Sequence, residues 1–534
     1  MHRKFAIVAC CIMFAAASHA ETAKGFVFHD ANGNGARDTG EAGLPDVSVS
    51  NGKDVARTDA DGAYKLSVTN DTTLFVIKPS GWRSGYDHNG TVARFYYVHR
   101  PAGSPKLKFD GIAPTGPLPE SVDFALTPVE EPPAFRMIVM GDPQPRGIRD
   151  VDFLSHDVYE ELLTVPADMG ASMGDLVFDG LEIYPDIIAQ AGLVGVPWLH
   201  VIGNHDINMD VKQRQDSDDT YIRWLGPSYY SLNRSNTHII VLNNIWWKVG
   251  ERKYEGRFGK EQIEFVRNDL AHVEKDKLVI LMMHIPLWDC ADHQELVAEL
   301  AAFPNTFSLS AHSHVQSHQF LPVQGADQSH HHLNLMTAGG SWLRGQYDEL
   351  GIPHATMRDG GPNGYAVMNI DGNQFDMQFK AARRPAEYQM DVWAPEQVAS
   401  AEAGGTEAIV NFFSGNDRSK LEMRLDKTGE WTPMTQFTGK APHYQQDYDR
   451  QVALVKQIAA YAGKDVNDEK ALKKVADDFD LLTGMVSPEP DDTPHLWKAA
   501  LPANPAPGYH VIQVRATDMW GKVHTAQRII RIVE

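Results

Sequence analysis

The chain has 534 residues and a formal net charge of −21, from 49 Lys and Arg against 70 Asp and Glu. A single hydrophobic core does not grow over such a length, so a one-domain protein is excluded and about two to four domains are expected. The acidic balance excludes a general nucleic-acid-binding protein, because an acidic surface repels the phosphate backbone. A content of 22% charged and 43% hydrophobic residues excludes a disordered or fibrous chain.

The first twenty residues differ in composition from the rest of the chain. A basic start, MHRK, precedes the apolar run FAIVACCIMFAAA, and Ser18 and Ala20 are small residues suited to a cleavage site. This pattern predicts a secretory signal peptide over residues 1–20, and therefore a periplasmic or secreted protein. A lipoprotein site at Cys10 is the alternative, but the apolar stretch before it is short. No later run reaches the roughly 18 apolar residues of a membrane-spanning helix, so we expect no membrane span.

The segment at 21–128 has the pattern of an all-β domain. Runs such as GFVFHD, AYKLSV and TLFVIKP combine β-branched and aromatic residues and are separated by Gly, Asn and Asp. This pattern predicts an N-terminal β-sandwich. Residues 129–133, VEEPP, then predict a linker, because paired prolines hold the chain extended and cannot continue a strand ladder.

One turn of this N-terminal segment carries oxygen-bearing side chains at the spacing of an EF-hand loop. The surrounding sequence, GFVFHDANGNG and DADGAYKL, resembles the B-type repeats of bacterial surface proteins, which implies a calcium site in the turn. The alternative is a Gly- and Asn-rich hairpin turn without metal. The candidate calcium ligands are Asp30, Asn32, Asn34, Asp38 and Glu41.

The segment at 134–380 alternates apolar strands with helix-like stretches. FRMIVMGDPQ, DMGASMGDLV, WLHVIGNHD and KLVILMMHIP are strands that end in polar residues, whereas VDFLSHDVYEELLTV and KEQIEFVRNDLAHVEKD have helical periodicity. The pattern predicts an α/β fold, a central β-sandwich flanked by helices. Residues 381–534 return to strand-like pieces with one helical insertion, at about Asp447 to Leu482, and predict a C-terminal sandwich-like domain.

Five polar clusters occupy the ends of successive strands of the α/β segment. Each alone is weak evidence, since an Asp after a strand is more often a turn or a helix cap than a ligand. Ligand chemistry on α/β sheets lies beside the carboxyl ends of strands, so the clusters are expected to meet. Their carboxylates, amides and imidazoles suit Zn, Mn or Fe and predict a dinuclear metal site. The clusters are Asp142-Pro143-Gln144, Gly174-Asp175, Gly203-Asn204-His205-Asp206, His284 and His312-Ser313-His314.

In their order, these clusters resemble the motif blocks of the calcineurin-like metallophosphoesterase superfamily. The family blocks are D-x-H/Q, G-D, G-N-H-D/E, a single His and G-H-x-H; here they are GDPQ, GDLVFD, GNHD, MMHIP and AHSH. The DPQ form is most similar to calcineurin-like phosphoesterase domain-containing proteins. DGGPNGY at 359–365, with the flanking domains, resembles bacterial exported members. The resemblance implies a hydrolase of phosphoric esters that uses two divalent or trivalent metal ions and a metal-bridging hydroxide.

The resemblance also implies a role for each cluster residue. His205 is expected to protonate the leaving alkoxide, with Asp206 or a backbone carbonyl orienting its ring. Asp175 is expected to bridge the ions, because two close cations need a shared anionic oxygen between them. The first ion is expected at Asp142, Gln144, Asp175 and His314, and the second at Asp175, Asn204, His284 and His312.

Three positions depart from the family pattern. Gln144 replaces the more frequent His, which exchanges an imidazole nitrogen for a neutral amide oxygen and is expected to weaken the first metal site. Ala311 replaces the Gly of G-H-x-H and is tolerated only if its φ is negative. Phe178 stands where purple acid phosphatases have a tyrosinate ligand, so no purple colour is expected.

Other residues have both a functional and a packing interpretation. The His tract at 330–332 can suggest a metal site, but a strand with alternating faces is favoured. Trp246 and Trp247 either stack on a substrate ring or pack within a loop. Cys290, the only cysteine outside the first twenty residues, is expected to be a buried thiol. At most a supporting role is expected for Asp179, His200 and Trp342.

The predicted function is therefore an exported metal-dependent phosphoesterase, with mono- and diesterase activity both left open. The alternative is a cell-surface binding protein with an inert phosphatase-like domain, which the loss of a ligand would favour; every predicted ligand position holds a competent donor. A repair-type nuclease shares the motif blocks, but export and acidic charge argue against it. We expect a phosphate-ester substrate, no nucleic-acid partner, and contacts of the side domains with the cell envelope or with glycans.

Overall fold

The structure of the chain is a computed structural model that describes residues 20–86, 92–325 and 328–534. The predicted signal peptide, apart from Ala20, lies outside the described residues. Among the helices that are described, none combines the length and the hydrophobicity that crossing a bilayer requires.

The N-terminal part is a pair of β-sheets around a common core. Its strands are β1 (Glu21–His29), β2 (Ser48–Ser50), β3 (Val55–Arg57), β4 (Ala63–Val68), β5 (Thr72–Ile77), β6 (Trp82–Tyr86), β7 (Ala93–Arg94), β8 (Tyr96–His99) and β9 (Phe124–Pro128). The strand orders are β4-β1-β9-β6-β7 and β3-β2-β5-β8. Tyr64, Leu66 and Val68 alternate with less buried residues along β4 and share a core with Val49 and Leu74 of the second sheet.

The segment predicted as a linker is anchored to its surroundings. The Glu131 side chain is only 3% exposed and pairs with Lys78 Nζ at 2.8 Å. Glu131 also accepts hydrogen bonds from the backbone amides of Gly81, at 2.9 Å, and Ser235, at 3.1 Å. One carboxylate thus joins the N-terminal strands to the segment that follows β13, defined below, so the connection is fixed by a buried charge.

The central part contains two larger sheets with helices. Its strands are β10 (Ala134–Met140), β11 (Met169–Ser172), β12 (Trp198–His200), β13 (Tyr230–Arg234), β14 (Thr237–Val241), β15 (Ile245–Lys248), β16 (Lys253–Gly256), β17 (Leu278–Met282), β18 (Thr306–Ser310), β19 (Ser317–Pro322), β20 (Ser329–Asn334), β21 (Gly364–Asp371) and β22 (Gln374–Ala381). Its helices are α1 (Ile148–Leu154), α2 (Glu160–Leu162), α3 (Tyr184–Leu193), α4 (Asp219–Leu225), α5 (Lys260–Leu270) and α6 (His293–Ala298). A π-helical stretch, Ser155–Tyr159, joins α1 to α2.

The two central sheets pack on each other through alternating strand faces. Their orders are β12-β11-β10-β21-β22 and β13-β14-β17-β18-β20-β19. Along β10, Met137 and Val139 belong to the core that contains residues of both sheets, whereas Ile138 and Met140 pack against the helical side, with Leu154. β10, β11 and β12 run parallel, as do β14, β17, β18 and β20. The carboxyl ends of neighbouring strands therefore meet at one edge of each sheet.

The C-terminal part is a second all-β unit with a helical insertion. Its elements are β23 (Met390–Trp393), β24 (Gln397–Ala399), β25 (Glu407–Phe412), β26 (Lys420–Leu425), β27 (Thr432–Pro433), β28 (Thr435–Gly439), α7 (Pro442–Tyr461), α8 (Glu469–Thr483), β29 (Thr493–Ala500), β30 (Gly508–Thr517) and β31 (Val523–Val533). The sheets β23-β25-β29-β28 and β24-β31-β30-β26-β27 enclose a core with Val410, Trp497 and Val514. The insertion is two helices and begins before the predicted Asp447.

The predicted fold class is confirmed: a central α/β unit with all-β sandwiches on either side in the sequence. The domain boundaries at residues 128 and 380 stay predictions, and we propose them as the divisions between folding units.

Candidate metal centre

The predicted ligands lie in loops that follow the carboxyl ends of parallel strands. Asp142 follows β10, Asp175 follows β11 and Asn204 follows β12, whereas His284 follows β17 and His312 follows β18. The sheets pair these strands in parallel register, so the loops meet where the two sheets face each other. The structure therefore brings all seven predicted ligands, including Gln144 and His314, to one place.

Three of the predicted ligands surround the Nε2 atom of a fourth, His284. This nitrogen lies 3.2 Å from Asp175 Oδ1, 3.2 Å from Asn204 Oδ1 and 3.2 Å from His312 Nδ1. The donor atoms of Asp175, His284 and His312 all lie within 4.8 Å of one another, the spacing of ligands around one ion. Four donors from four loops thus point at a common centre.

The remaining ligands form an adjoining set around Asp142. His314 Nε2 lies 3.6 Å from Asp142 Oδ2, and Gln144 Nε2 donates to Asp175 Oδ2 at 2.9 Å. Asp142 Oδ1 and Gln144 Oε1 are buried without a hydrogen-bond partner. Since buried polar atoms are almost always paired, these two oxygens fit a cation that the protein alone does not supply. Asp175 contacts both sets, through a different oxygen for each.

Backbone carbonyls set the orientation of two ligand rings. His284 Nδ1 donates to the Met173 carbonyl at 2.8 Å, and His314 Nδ1 donates to the Gly340 carbonyl. A proton held on Nδ1 leaves the Nε2 lone pair directed into the centre, which is the usual arrangement around metal-binding histidines.

Burial and the neighbouring charges shift the pKa values of the groups at the centre. Burial raises the pKa of Asp142 to about 8; His284 opposes this shift and the neighbouring Asp175 adds to it. Burial also opposes ionisation of Asp175, but His284 outweighs it and holds the pKa of Asp175 below its ordinary value. Burial lowers the pKa of His312 to about 3, so this imidazole is a neutral donor at pH 7. Burial lowers the pKa of His284, but Asp175, Asp142 and the hydrogen bonds of the ring together outweigh it and raise this pKa to about 9. The carboxylates thus favour a positive charge at the centre, and carboxylate and imidazole donors suit divalent ions in that place.

The ligand loops hold an unusual backbone conformation. Positive φ is uncommon for residues other than glycine and concentrates at functional sites. Five of the seven predicted ligands have it: Asp142 (30°), Gln144 (46°), Asp175 (47°), His312 (70°) and His314 (52°).

Two glycines allow the loops to approach closely. A Cβ on Gly174, which has a φ of +92°, would lie 2.4 Å from His284 Nδ1. A Cβ on Gly203 would lie 2.2 Å from Asp175 Oδ1. The glycines of the GD and GNHD motifs are therefore required by the packing of the ligands.

Ala311 is accommodated by the strand beside it. Its φ is not positive, as the prediction required, and the left-handed conformation falls on the next residue, His312. Ala311 is fully buried. A Cβ built on Gly141 would lie 2.8 Å from the Ala311 methyl group, so the glycine before Asp142 provides the space for it.

His205 lies beside the centre, and Asp179 orients its ring. Its Nδ1 is 2.6 Å from Asp179 Oδ1, and its Nε2 is 4.0 Å from Asp175 Oδ2. The ring stacks on Phe178, with centroids 4.4 Å apart and planes at 19°. Burial lowers the pKa of His205, but the hydrogen bond to Asp179 and the charges of Asp175, Asp179 and Asp206 together outweigh it, and the pKa is raised overall. From the sequence, Asp179 was expected to have at most a supporting role, although it is the last residue of the GDLVFD motif.

The expected orienting role of Asp206 is wrong. Its carboxylate is fully buried and accepts from the backbone amides of Gly203, at 2.7 Å, and Leu176, at 3.1 Å. Tyr184 donates its hydroxyl hydrogen to the Asp206 carbonyl at 3.0 Å. Asp206 therefore ties the GNHD loop to the GDLVFD loop and does not face the His205 ring.

A buried contact with the C-terminal sheet supports the loop of His312 and His314. The Gln316 amide donates to Asp359 Oδ2 at 2.8 Å, and His495 Nε2 lies 3.1 Å from the same oxygen. His495 Nδ1 is 2.7 Å from Asn411 Oδ1. This contact was not predicted, because it joins residues far apart in the sequence.

The packing interpretation is confirmed for the His tract. His330 and His332 bond to Ser308 Oγ on one face of β20, at 2.7 and 2.5 Å, whereas His331 stacks on Phe320 on the other.

The two tryptophans lie on strand β15 rather than in a loop. Trp247 is in the core, and the Trp246 ring lies 3.9 Å from the Arg214 guanidinium and 5.8 Å from that of Arg257.

Cys290 is a buried thiol whose pKa burial raises to about 12. Trp342 packs on the His314 ring at 4.6 Å, and both ring nitrogens of His200 are buried without a partner.

The N-terminal turn gathers its five candidate calcium ligands. Asp38 Oδ2 accepts from the side-chain amides of Asn32 and Asn34 at 2.7 Å each. Glu41 uses both oxygens, accepting from the amides of Ala31 and Asp38 at 2.9 Å. Asp30 Oδ1 accepts from the Gly33 amide at 2.8 Å. The five candidate calcium ligands therefore lie together in one short loop.

Comparisons with known proteins place the chain among proteins of one family. Three family models match: the N terminal of calcineurin-like phosphoesterase at residues 31–111, calcineurin-like phosphoesterase at 135–316, and the C terminal of calcineurin-like phosphoesterase at 332–524. No curated protein matches the chain.

Two solved structures are similar in part. A dimetal phosphatase from Danio rerio is 13% identical, with 46% of this chain and 96% of that chain covered and a TM-score of 0.32. A purple acid phosphatase isolated from yellow lupin (Lupinus luteus) seeds is 12% identical, with coverages of 68% and 67% and a TM-score of 0.33.

Proposed function

The chain belongs to the calcineurin-like phosphoesterases, metal-dependent hydrolases of phosphoric ester bonds, and from this premise we propose that it is an exported enzyme that hydrolyses phosphate esters at the centre described above. The observation that carries the proposal is the convergence of buried donors from five loops, two of them oxygens without a partner. An inert binding domain would have no need for such a set.

Two ions fit the two donor sets. We assign one ion to Asp142, Gln144, Asp175 and His314, and the other to Asp175, Asn204, His284 and His312. When bound, the ions supply Lewis-acid charge for the phosphoryl oxygens and an activated water for attack on phosphorus. The oxygen and imidazole donors suit Mn, Fe or Zn.

The residues of the chain then act on the substrate. The attacking oxygen forms a bond to phosphorus while the bond from phosphorus to the ester oxygen breaks. His205 donates its Nε2 proton to the departing oxygen, which leaves as an alcohol. Asp179 holds the Nδ1 proton, so that Nε2 faces the centre, and the Phe178 ring covers one face of the imidazole.

Metal analysis combined with a substrate panel tests this function. The protein without residues 1–20 is loaded with Mn, Fe or Zn. The number of bound metal ions per chain is determined, and the hydrolysis of phosphate mono- and diesters is measured. We expect about two ions per chain and turnover of at least one ester class. Metal binding without hydrolysis of any ester would support the inert binding protein, and the absence of metal would refute the site.

Export follows from the predicted signal peptide, and we propose a periplasmic or secreted location. In that setting the flanking sandwiches are candidates for contact with the cell envelope or with glycans. Fractionation of the native host, with and without residues 1–20, tests the location: loss of export on truncation is expected.

A calcium ion in the N-terminal turn is proposed as a separate structural cofactor. The side-chain NH2 groups of Asn32 and Asn34 already hold these residues beside Asp38, and both carboxylate oxygens of Glu41 face the same loop. Only three of the five candidate ligands are anionic, and Arg37 lies close by, over the Phe26 ring at 3.8 Å. We therefore expect affinity in the weak extracellular range of about 10⁻⁴–10⁻³ M.

A further inference from the structure

The rim of the metal centre carries an arginine without a carboxylate partner. Arg146 lies two residues after Gln144 of the GDPQ motif and is exposed. Its guanidinium lies 5.1 Å from the centroid of the Phe178 ring, the ring on which His205 stacks. No carboxylate of the described residues lies within 4.0 Å of this guanidinium, although many other arginines of the described chain are so paired.

Backbone contacts fix the position of Arg146 relative to the reacting groups. The Gln144 amide donates to the Asp175 carbonyl at 3.0 Å, and the Phe178 amide donates to the Pro145 carbonyl at 3.0 Å. The segment before Arg146 therefore runs along the loop that holds Asp175. Phe178 contacts both His205 and Arg146, so the guanidinium is on the His205 side of the centre.

A second guanidinium lies near the first. Desolvation lowers the pKa of Arg146 and the positive charge of Arg344 lowers it further, whereas the more distant carboxylates of Asp150 and Asp480 oppose the shift. Arg344 is held by Asp480 of α8, with Nη1 and Oδ2 2.8 Å apart. Arg344 lies two residues after Trp342, whose ring packs on His314. Asp480 compensates the charge of Arg344 directly, so Arg146 is the guanidinium of the two without an ion-paired carboxylate, and an incoming anion would be attracted to it.

We propose that Arg146, with Arg344 beside it, binds a second anionic group on the leaving part of the substrate. The inference rests on the proposed function, because the leaving group is placed by the proton donor His205. A guanidinium pairs with the two oxygens of a carboxylate or phosphate through parallel hydrogen bonds. The preferred substrates are thus phosphate esters whose alcohol portion carries a second oxyanion.

Matched esters separate this inference from the proposed function. The probes are 3-carboxyphenyl, 3-phosphonophenyl and uncharged 3-carbamoylphenyl phosphate, each also made as the methyl diester. The wild-type enzyme should favour the charged esters over the carbamoyl ester by about fivefold in kcat/KM, the scale of an exposed ion pair. Of the two charged esters, the one with the higher kcat/KM relative to the carbamoyl ester identifies the preferred oxyanion as carboxylate or phosphonate.

Variants of Arg146 and Asp480 test whether the preference for charged esters comes from the guanidinium groups. In Arg146→Gln the ratio of charged to uncharged kcat/KM should fall to about one, whereas it should persist in Lys427→Gln, which removes an exposed charge from the C-terminal part. Asp480→Asn should raise the ratio, because Arg344 loses its carboxylate partner. A ratio that persists in Arg146→Gln, or is absent in the wild type while the esters are hydrolysed, would overturn the inference alone. An enzyme that hydrolyses none of the esters would refute the proposed function with it.

Discussion

Replacing His205 by Ala should separate proton transfer from metal binding. The backbone amide of residue 205 donates to Asp175 Oδ1 at 2.9 Å, and alanine keeps this amide. The ring itself contacts Asp179 and Phe178 and makes no hydrogen bond to the seven assigned ligands. We therefore expect His205→Ala to bind as much metal as the wild type.

The loss of rate should depend on the leaving group. A positioned general acid contributes about 10²–10⁴-fold when the leaving oxygen is basic. Alkyl phosphate esters should lose that factor in kcat with His205→Ala, and 4-nitrophenyl phosphate, whose leaving group needs no proton, should lose far less. Rates and metal content measured on the same preparations make the comparison.

Asp179→Asn tests the same proton transfer with a smaller expected loss of rate. The carboxylate lies 2.6 Å from His205 Nδ1, but its side chain is 45% exposed, so water screens the charge. An asparagine oxygen still accepts the Nδ1 hydrogen bond, and the loss should be about 1 kcal/mol, or about fivefold in kcat on alkyl esters. Equal losses on both ester types in His205→Ala, or loss of metal, would refute the assignment of His205 as proton donor.

Three further predictions follow from other parts of the chain. Asp175→Asn should lose more activity and more metal than Gln144→Ala, because Asp175 faces each donor set with a different oxygen and carries a negative charge that Gln144 lacks; equal losses would contradict the bridging role. Glu131→Gln should lower the free energy of unfolding by about 2 kcal/mol at pH 7. Although burial opposes it, Lys78 and the backbone amides hold the pKa of Glu131 below 4.5, so this stabilisation is complete above pH 4.5 and is lost as pH falls through the lowered pKa. Denaturation from pH 3 to 7 should therefore show the two proteins converging at low pH, and a constant difference would refute the charge argument. Millimolar Ca²⁺ should raise the first melting transition of the full-length chain, and the same rise in Asp30→Ala/Glu41→Ala would leave the plain hairpin turn standing.

The ligands were predictable because each motif is local and the sheet brings the motifs together. A polar cluster after an apolar strand is visible in the sequence, and parallel strands place such ends side by side. The contacts that orient the ligands were less visible. Asp206 was expected to face the His205 ring, but its carboxylate instead accepts hydrogen bonds from two backbone amides and from the Tyr184 hydroxyl. A buried carboxylate accepts hydrogen bonds from the amides and hydroxyls that the fold places beside it. These partners cannot be identified from the residues that are adjacent in the sequence.

Long-range contacts were beyond prediction for the same reason. Asp359 supports the loop after His314 only because His495, in the C-terminal sheet, packs against it. Periodicity identifies strands, but it does not say which strand of one unit faces which loop of another. The linker shows the same limit: its prolines predicted an extended connection, whereas Glu131 anchors it through partners on both sides.

The positive φ angles of the ligand residues have a consequence for the motions of the protein. Each such residue raises the local free energy by about 1–3 kcal/mol, and the surrounding packing must hold it in place. Coordination to the two proposed ions, with Asp175 common to both, would fix these residues together, so removing the metal would leave the strain without its common restraint. Native-state hydrogen exchange should then show the loops at 142–144, 174–177 and 312–316 opening at lower free energy in the apoprotein, while β10 and β17 keep their protection. The resting enzyme would thus be rigid at its centre only while it is loaded.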